Sequence, residues 1–478
     1  MATDARRERI LHGPLGWGVL RFGGPLALGM GLQVVFNLVD QLLVSRLPAA
    51  IATPSLDALG ICDMVVAVGS IVSYGLGTAA ASRVSQLRGK GDGEGAARAA
   101  WASLGLVFAL GGVCLVLGLF GSGFIAGTLM GARGETARIA TSYLRLMLGG
   151  SITVFLTLHL VALLRAVGRV KAGVLVMVAG NAFNMGLGAL LIYGQGPSPE
   201  WVHRWANPIA TALHLPRLYL DGGAWAALIA RTLAATGLAL IVARELVPRP
   251  LYAKEAWRAL IAVAWPASAQ YVVRIGATLL AIALLHHYFT SDGDIRAGTA
   301  YALCLRMETM ALFLAIGWGS GAQTFAGMAL GAGLRDRAAR AGWVTAAFTT
   351  GTMALLAVAY LRAGEPLLGI FTRDPVVIAH GVRFLDLVGP SYLPFGLAIA
   401  LAGAMSGAGA TRLTLHLDLL LVLLIEVPLL VAAVVLRTPG DPSRLWWALA
   451  ATNAISAVVY SVAYLRSGWK QTPQLAEP

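Results

Sequence analysis

Residues Leu20–Val44 read LRFGGPLALGMGLQVVFNLVDQLLV. The run is long enough, at about 25 residues, to cross a bilayer core with some tilt. Apart from Arg21 at its start, its one charged group is Asp40. Gln33, Asn37 and Asp40 recur at i, i+4 and i+7, which puts them on one helix face as a polar stripe. A carboxylate at that depth costs several kcal/mol unless it faces a partner or a wet cavity. Pro25 can bend the helix near one end. The stripe therefore predicts a membrane helix turned toward an internal cavity that the remaining chain builds.

Composition agrees. The 478 residues are 58% hydrophobic and 12% charged, with mean hydropathy +0.74, whereas soluble domains carry roughly 25% charge. The net charge of +13 does not mark nucleic-acid binding. Its basic residues stand at the ends of apolar runs, as topology signals do. The N-terminal MATDARRERILHGPLGW is basic and amphipathic, with no small-residue cleavage site after a short apolar core, so no cleaved signal peptide is expected. Cys62, Cys114 and Cys304 lie inside apolar runs without metal-ligand spacing and read as small buried hydrophobes.

Twelve apolar spans follow one another, near 18–44, 58–83, 99–121, 139–164, 171–194, 223–243, 257–287, 297–326, 341–361, 380–408, 412–436 and 445–466. Lys and Arg are about twice as frequent in one set of loops as in the other, which puts the richer set and both termini in the cytoplasm. The longest outer loop, 195–222, holds Pro197, Pro199, Trp201, Trp205 and Pro208. It suits an interfacial flap or flexible padding equally.

The halves repeat. Pro25 matches Pro266, Tyr143 matches Phe384 and Gly168 matches Gly409, all at an offset of about 241 residues, and the loops GKGDGEGAAR and GAGLRDRAAR fit one residue more. Six helices per copy is an even number, so both copies enter the membrane in the same sense. The expected fold is an all-α polytopic membrane protein, with twelve transmembrane helices as two parallel six-helix repeats around a central cleft. The lobes would be 1–243 and 257–478, joined by a cytoplasmic linker at 244–256. That plan fits alternating access by rocking one lobe against the other, the alternative being an old duplication with a structural role.

Six stretches then carry a resemblance: FNLVDQLLVSRL (36–47), GTAAASRVSQLRGKGDGEGAAR (77–98), LLRAVGRVK (163–171), NMGLGALLIYG (184–194), LRMETMALFLAIGWGSGAQTFAGMALGAG (305–333) and AMSGAGATR (404–412). In this order, over nearly the whole chain, the protein resembles the multidrug and toxic compound extrusion (MATE) transporters. The resemblance implies an inner-membrane antiporter that expels organic, often cationic and amphipathic compounds against inward H+ or Na+. It also implies that Asp40 is the family's first-helix acid. The departures are that Gly188 stands where one branch adds an acid on the fifth helix, while Arg274 and Phe395 stand where another branch carries acids on the seventh and tenth. A coupling site in the N-terminal lobe is what remains.

Asp40 is the leading candidate for cation coupling, by H+ or by Na+, with Asn37 and Gln33 beside it. Asn181 and Asn184 on the fifth helix and Thr232 and Thr236 on the sixth could complete the pocket with neutral oxygens, or simply tie helices together. In the C-terminal half Arg274, Arg306, Glu308 and Glu426 fall near mid-helix and are candidates for a substrate cavity. Arg274 is expected to pair with Glu308 or Glu426, since Arg306 and Glu308 are two apart and cannot share a face. Asp63, Asp386 and Asp418 sit nearer helix ends and read as hydrated, and His159 has no visible partner. Besides the ion, no cofactor is implied. The expected partners are a small organic substrate and the lipid bilayer, with no nucleic acid, and the chain is expected to act as a monomer. A flippase or exporter of a lipid-linked or amphipathic metabolite is the alternative, favoured by Arg145, Arg231, Arg274, Arg306 and Arg383 within or beside helices. An enzyme would need clustered acid, base or nucleophile motifs. HExxH, GxSxG, Walker loop and Cys–His clusters are all missing, so a secondary transporter is expected.

Overall fold

The computed structural model describes residues 2–290, 294–437, 441–466 and 468–471. The expected cytoplasmic C-terminus, 472–478, lies outside the described residues. A short helix α1 (Ala2–His12) leads into the first span, α2 (Leu15–Ser45), followed by α3 (Ala50–Lys90), α4 (Gly93–Leu129), α5 (Gly134–Ala166) and α6 (Val170–Tyr193). After α7 (Glu200–Ala212) come α8 (Tyr219–Glu245), α9 (Lys254–Phe289), α10 (Arg296–Gly331), α11 (Arg335–Gly369), α12 (Pro375–Gly407), α13 (Thr411–Val435) and α14 (Ser443–Leu465). Of these, 12 are long and apolar enough to cross a membrane. Each expected span falls on one of them, and the helices run beyond the apolar stretches. No strand occurs among the described residues. The long loop 195–222 is neither padding nor irregular, because α7 occupies it and buries Val202, Ala206 and Ala210 at successive turns.

The repeat is visible in local geometry. Gly168 and Gly409 close equivalent helix ends with φ of +83° and +77°, and Gly91 and Gly333 do so with +86° and +78°. Only glycine adopts that left-handed conformation without steric cost. The buried thiols repeat too: Cys62 Sγ donates to Ala140 O at 3.5 Å and Cys304 Sγ to Gly381 O at 3.6 Å. Both cysteines are more than small hydrophobes, since each ties two helices of its own repeat.

Contacts divide the described chain into two compact units, and the division is not the expected one at 244–256. One unit takes 1–31, 81–92 and 262–478, and the other takes 32–80 and 93–261. The reason is close packing by small residues. A side chain on Gly317 would run into the backbone of Ala27, and one on Gly331 would run into Gln86. Ser82 Oγ and Gln86 Nε2 both donate to Gly407 O, at 3.0 and 2.9 Å. Helix α1 joins this unit through two arginines. Arg7 donates to the carbonyls of Arg88 (3.0 Å) and Gly89 (2.8 Å) at the end of α3. Arg337 donates to those of Ile10 (2.9 Å) and Gly13 (2.6 Å) at the end of α1. Each guanidinium thus satisfies carbonyls that a helix C-terminus leaves free.

Candidate functional site

In the unit 32–80 and 93–261, the polar stripe of α2 meets the two asparagines of α6. Gln33 Nε2 donates to Asn37 Oδ1 at 3.1 Å, and Asn181 Nδ2 donates to Gln33 Oε1 at 2.6 Å. One turn further on, Asn184 Nδ2 donates to Asp40 Oδ2 at 3.1 Å. The i, i+3 spacing of the asparagines and the i, i+4, i+7 spacing of the stripe let two helices match donor to acceptor along their length. Tyr193 OH, donating to Leu43 O at 2.6 Å, ties the same helices at the next level. Gln33 and Asp40 are half-buried, while Asn37 is exposed. Asn184 Oδ1 is buried and has no hydrogen-bond partner.

Charge around Asp40 comes from two groups that were not expected at the coupling site. Arg231 of α8 acts electrostatically on Asp40 and on Asp63 of α3, and Asp63 acts in turn on Asp40. Thr232 and Thr236 are not joined to this group. Their hydroxyls donate to Leu228 O (2.7 Å) and Thr232 O (2.8 Å) of their own helix, and both residues are exposed. Threonine in a helix satisfies itself this way. The neighbouring Arg231, one position back on α8, is the residue that reaches the site.

The oxygens bear on the coupling ion. A hard cation needs several oxygen ligands. The amide oxygens of Gln33 and Asn37 already accept hydrogen bonds. Beside Asp40, Asn184 Oδ1 is buried and accepts no hydrogen bond.

In the other unit Arg274 of α9 does not pair with Glu308 or Glu426. Its Nε and Nη2 fork onto Asp418 of α13 at 2.9 and 3.0 Å. Tyr460 OH donates to Asp418 Oδ1 at 2.6 Å and Gln270 Nε2 to Oδ2 at 3.2 Å. Asp418 is 3% exposed, so the expectation of a hydrated helix-end residue was wrong. The fork geometry of guanidinium and carboxylate, with four donors in all on one carboxylate, makes that depth tolerable. Gln270 and Tyr460 are four residues before Arg274 and on another helix, so neither was legible as a partner. Glu308 and Glu426 are half-buried and lie within electrostatic reach of each other. Arg306 is exposed on α10 and is not brought to this group. His159, expected to lack a partner, lies buried with Nε2 at 2.7 Å from Ser103 Oγ. Since that hydroxyl donates to Ala100 O at 2.6 Å, Nε2 carries the proton, and Nδ1 is left buried without a partner.

With this geometry in place, comparison with known proteins is informative. The MatE family model matches residues 25–190 and 273–432. The FAD transporter of Shewanella oneidensis is 26% identical, covering 88% of this chain and 89% of that protein. A probable multidrug resistance protein NorM of Deinococcus radiodurans is 25% identical over 84% of each chain. Among solved structures, an outward-facing multidrug resistance MATE transporter of the MOP superfamily superposes with a TM-score of 0.85 at 21% identity, covering 97% of this chain and 98% of that one. A MOP superfamily transporter from Pyrococcus furiosus gives 0.84 at 20% identity, with the same coverage. At such identities the structural likeness establishes the fold.

Proposed function

We propose, from the premise that this chain belongs to the MatE family of multidrug efflux transporters, that it exports organic, cationic amphipathic compounds in exchange for H+ or Na+. The buried, unpartnered Asn184 Oδ1 beside Asp40 supports the proton. The observation that carries this reading is the Asp40–Asn184 hydrogen bond between α2 and α6. It joins a carboxylate, with an unpartnered amide oxygen beside it, to the neighbouring helix, where loss of its charge changes what holds two helices together. An ionised Asp40 accepts from Asn184 Nδ2. A protonated Asp40 gains a donor, for which Asn184 Oδ1 is the waiting acceptor. Proton binding thus rearranges the α2–α6 contact, and the two six-helix repeats supply the lobes whose rocking alternates access. Both termini lie in the cytoplasm of a bacterial inner-membrane protein in this reading, which acts as a monomer.

The second reading is export of an amphipathic, phosphate-bearing metabolite, supported by the likeness to the FAD transporter of Shewanella oneidensis. Buried cations would recognise such cargo. Arg274, however, is forked onto Asp418, and Arg231 stands beside two carboxylates. Both cations are therefore offset, which favours a cationic substrate. Counterflow in proteoliposomes separates the readings. Radiolabelled tetraphenylphosphonium accumulating against its unlabelled pool supports the first. Accumulation of FAD and not of tetraphenylphosphonium replaces it with the second.

A further inference from the structure

Helix α7 divides its circumference three ways. Val202, Ala206 and Ala210, four residues apart, are buried, and the helix packs on α6. Trp201, Trp205 and Ile209 recur with the same spacing one position earlier, so they form an adjoining stripe. Leu213 continues it past the helix end, and these four side chains are between 40% and 63% exposed. The remaining sector is polar and satisfies itself. Thr211 Oγ1 donates to Asn207 Oδ1 at 3.0 Å, Asn207 Nδ2 donates to His203 Nδ1 at 2.9 Å, and Arg204 pairs with Glu200.

The helix is held where two membrane spans end. α6 stops at Tyr193 and α8 starts at Tyr219. Leu218 N donates to Leu191 O at 3.0 Å, and Arg217 Nη2 donates to Pro197 O at 3.1 Å. The arms entering and leaving α7 are thereby tied to each other and to the last turn of α6. A side chain on Gly194 would run into the backbone of Pro216. His214 and Tyr219, neither of them glycine, both hold a φ of +51°, which persists only where the surroundings dictate it. At 13 residues, α7 is about 20 Å long and too short to cross a bilayer. The hairpin it bridges already presents apolar side chains outward, since Trp225, Ile229, Leu233 and Leu240 fall on one exposed face of α8.

We propose that the Trp201–Trp205–Ile209 stripe inserts into the headgroup–acyl boundary of the bilayer, so that α7 lies in the membrane plane and anchors the α6–α8 hairpin. Indole rings favour that depth, because the ring is apolar and its N–H is met by headgroups or water. A helix with one apolar stripe and one polar sector buries the stripe to about 5–10 Å and leaves the sector in water. With Glu200 and Arg204 paired, the polar sector carries no surplus fixed charge, so the contact is with the lipid interface itself and not with anionic headgroups. The leaflet is the outer one in the topology proposed above. The insertion itself rests neither on that topology nor on the cargo.

Nitroxide labels on the full-length chain, in nanodiscs holding one copy each, test the proposal. Trp205→Cys, Ile209→Cys, His203→Cys and Thr211→Cys are labelled one at a time, the native cysteines being buried. Collisions with oxygen, which concentrates in lipid, should dominate at 205 and 209. Collisions with a water-soluble nickel chelate should dominate at 203 and 211. The pattern should be the same in phosphatidylcholine and phosphatidylglycerol discs, and insertion only into the latter overturns the charge-independent contact. Nickel contact at 205 and 209 equal to that at 203 and 211 makes the stripe water-facing and overturns the insertion. Low contact with both reagents at 205 and 209 means that protein covers the stripe, which overturns it too. In an otherwise native chain, Trp201→Ser with Trp205→Ser should quicken amide exchange across 202–212 by about 10-fold or more in the discs, with α8 unchanged. Unchanged exchange in α7 overturns the anchor.

Discussion

At Asp418 one carboxylate accepts from Arg274, Gln270 and Tyr460. Removing one partner strands the others. Arg274→Ala should cost about 3–5 kcal/mol because it leaves a buried, uncompensated charge, whereas the double change Arg274→Met with Asp418→Leu should cost much less. Thermal unfolding of the three proteins in one detergent checks this, and equal losses in both cases would contradict it. Gly409 makes a smaller, steric point. At a φ of +77° any side chain is strained, so Gly409→Ala should lower stability by about 1–2 kcal/mol in the same assay. The equivalent Gly168→Ala should behave alike. How much of this was legible depended on spacing along one helix. Gln33, Asn37 and Asp40 declared themselves as a stripe because a helix fixes their common face. The partner of Arg274 did not, because choosing among Asp418, Glu308 and Glu426 requires knowing which faces of separate helices meet. Thr232 drew attention away from Arg231 for a related reason: a neutral oxygen looked the cheaper ligand for a coupling ion, while the arginine was counted toward phosphate-bearing cargo.

The twelve spans were readable as elements because each is a long apolar run, and α7 was not, because it is short and Pro208 sits inside it. The position of α1 was equally hidden. Its attachment runs through carbonyls, which the sequence does not display. Arg337 donates to Ile10 O and Gly13 O, bonds to a charged donor that are worth about 1.5–3 kcal/mol. Arg337→Ala should therefore loosen α1 without unfolding the spans. Hydrogen exchange at the amides of residues 8–13 should quicken by about 10-fold or more, while exchange in α10 stays unchanged. Uniform quickening of both segments, or of neither, would show that the arginine does not anchor α1.

For the whole molecule, the repeat of equivalent turns, thiols and glycines says that one six-helix plan was used twice. The division of contacts says that residues 1–31 and 81–92 of the first copy pack with the second. Sequence identity between copies could reveal the first fact but not the second, since the repeat offset records ancestry and says nothing of which surfaces touch. The two copies also differ in chemistry. The first carries an amide-held Asp40, and the second carries an ion pair at Arg274–Asp418 with Glu426 within electrostatic reach of it. The central claim is that charge on Asp40 couples ion flow to export. The measurement that tests it most directly is ethidium efflux from proteoliposomes, comparing wild type with Asp40→Asn under an imposed pH gradient and, separately, an imposed Na+ gradient. The account predicts that the pH gradient drives wild-type efflux, that the Na+ gradient does so weakly or not at all, and that Asp40→Asn abolishes the drive while leaving downhill ethidium exchange. Full gradient-driven efflux by the Asp40→Asn protein would contradict it.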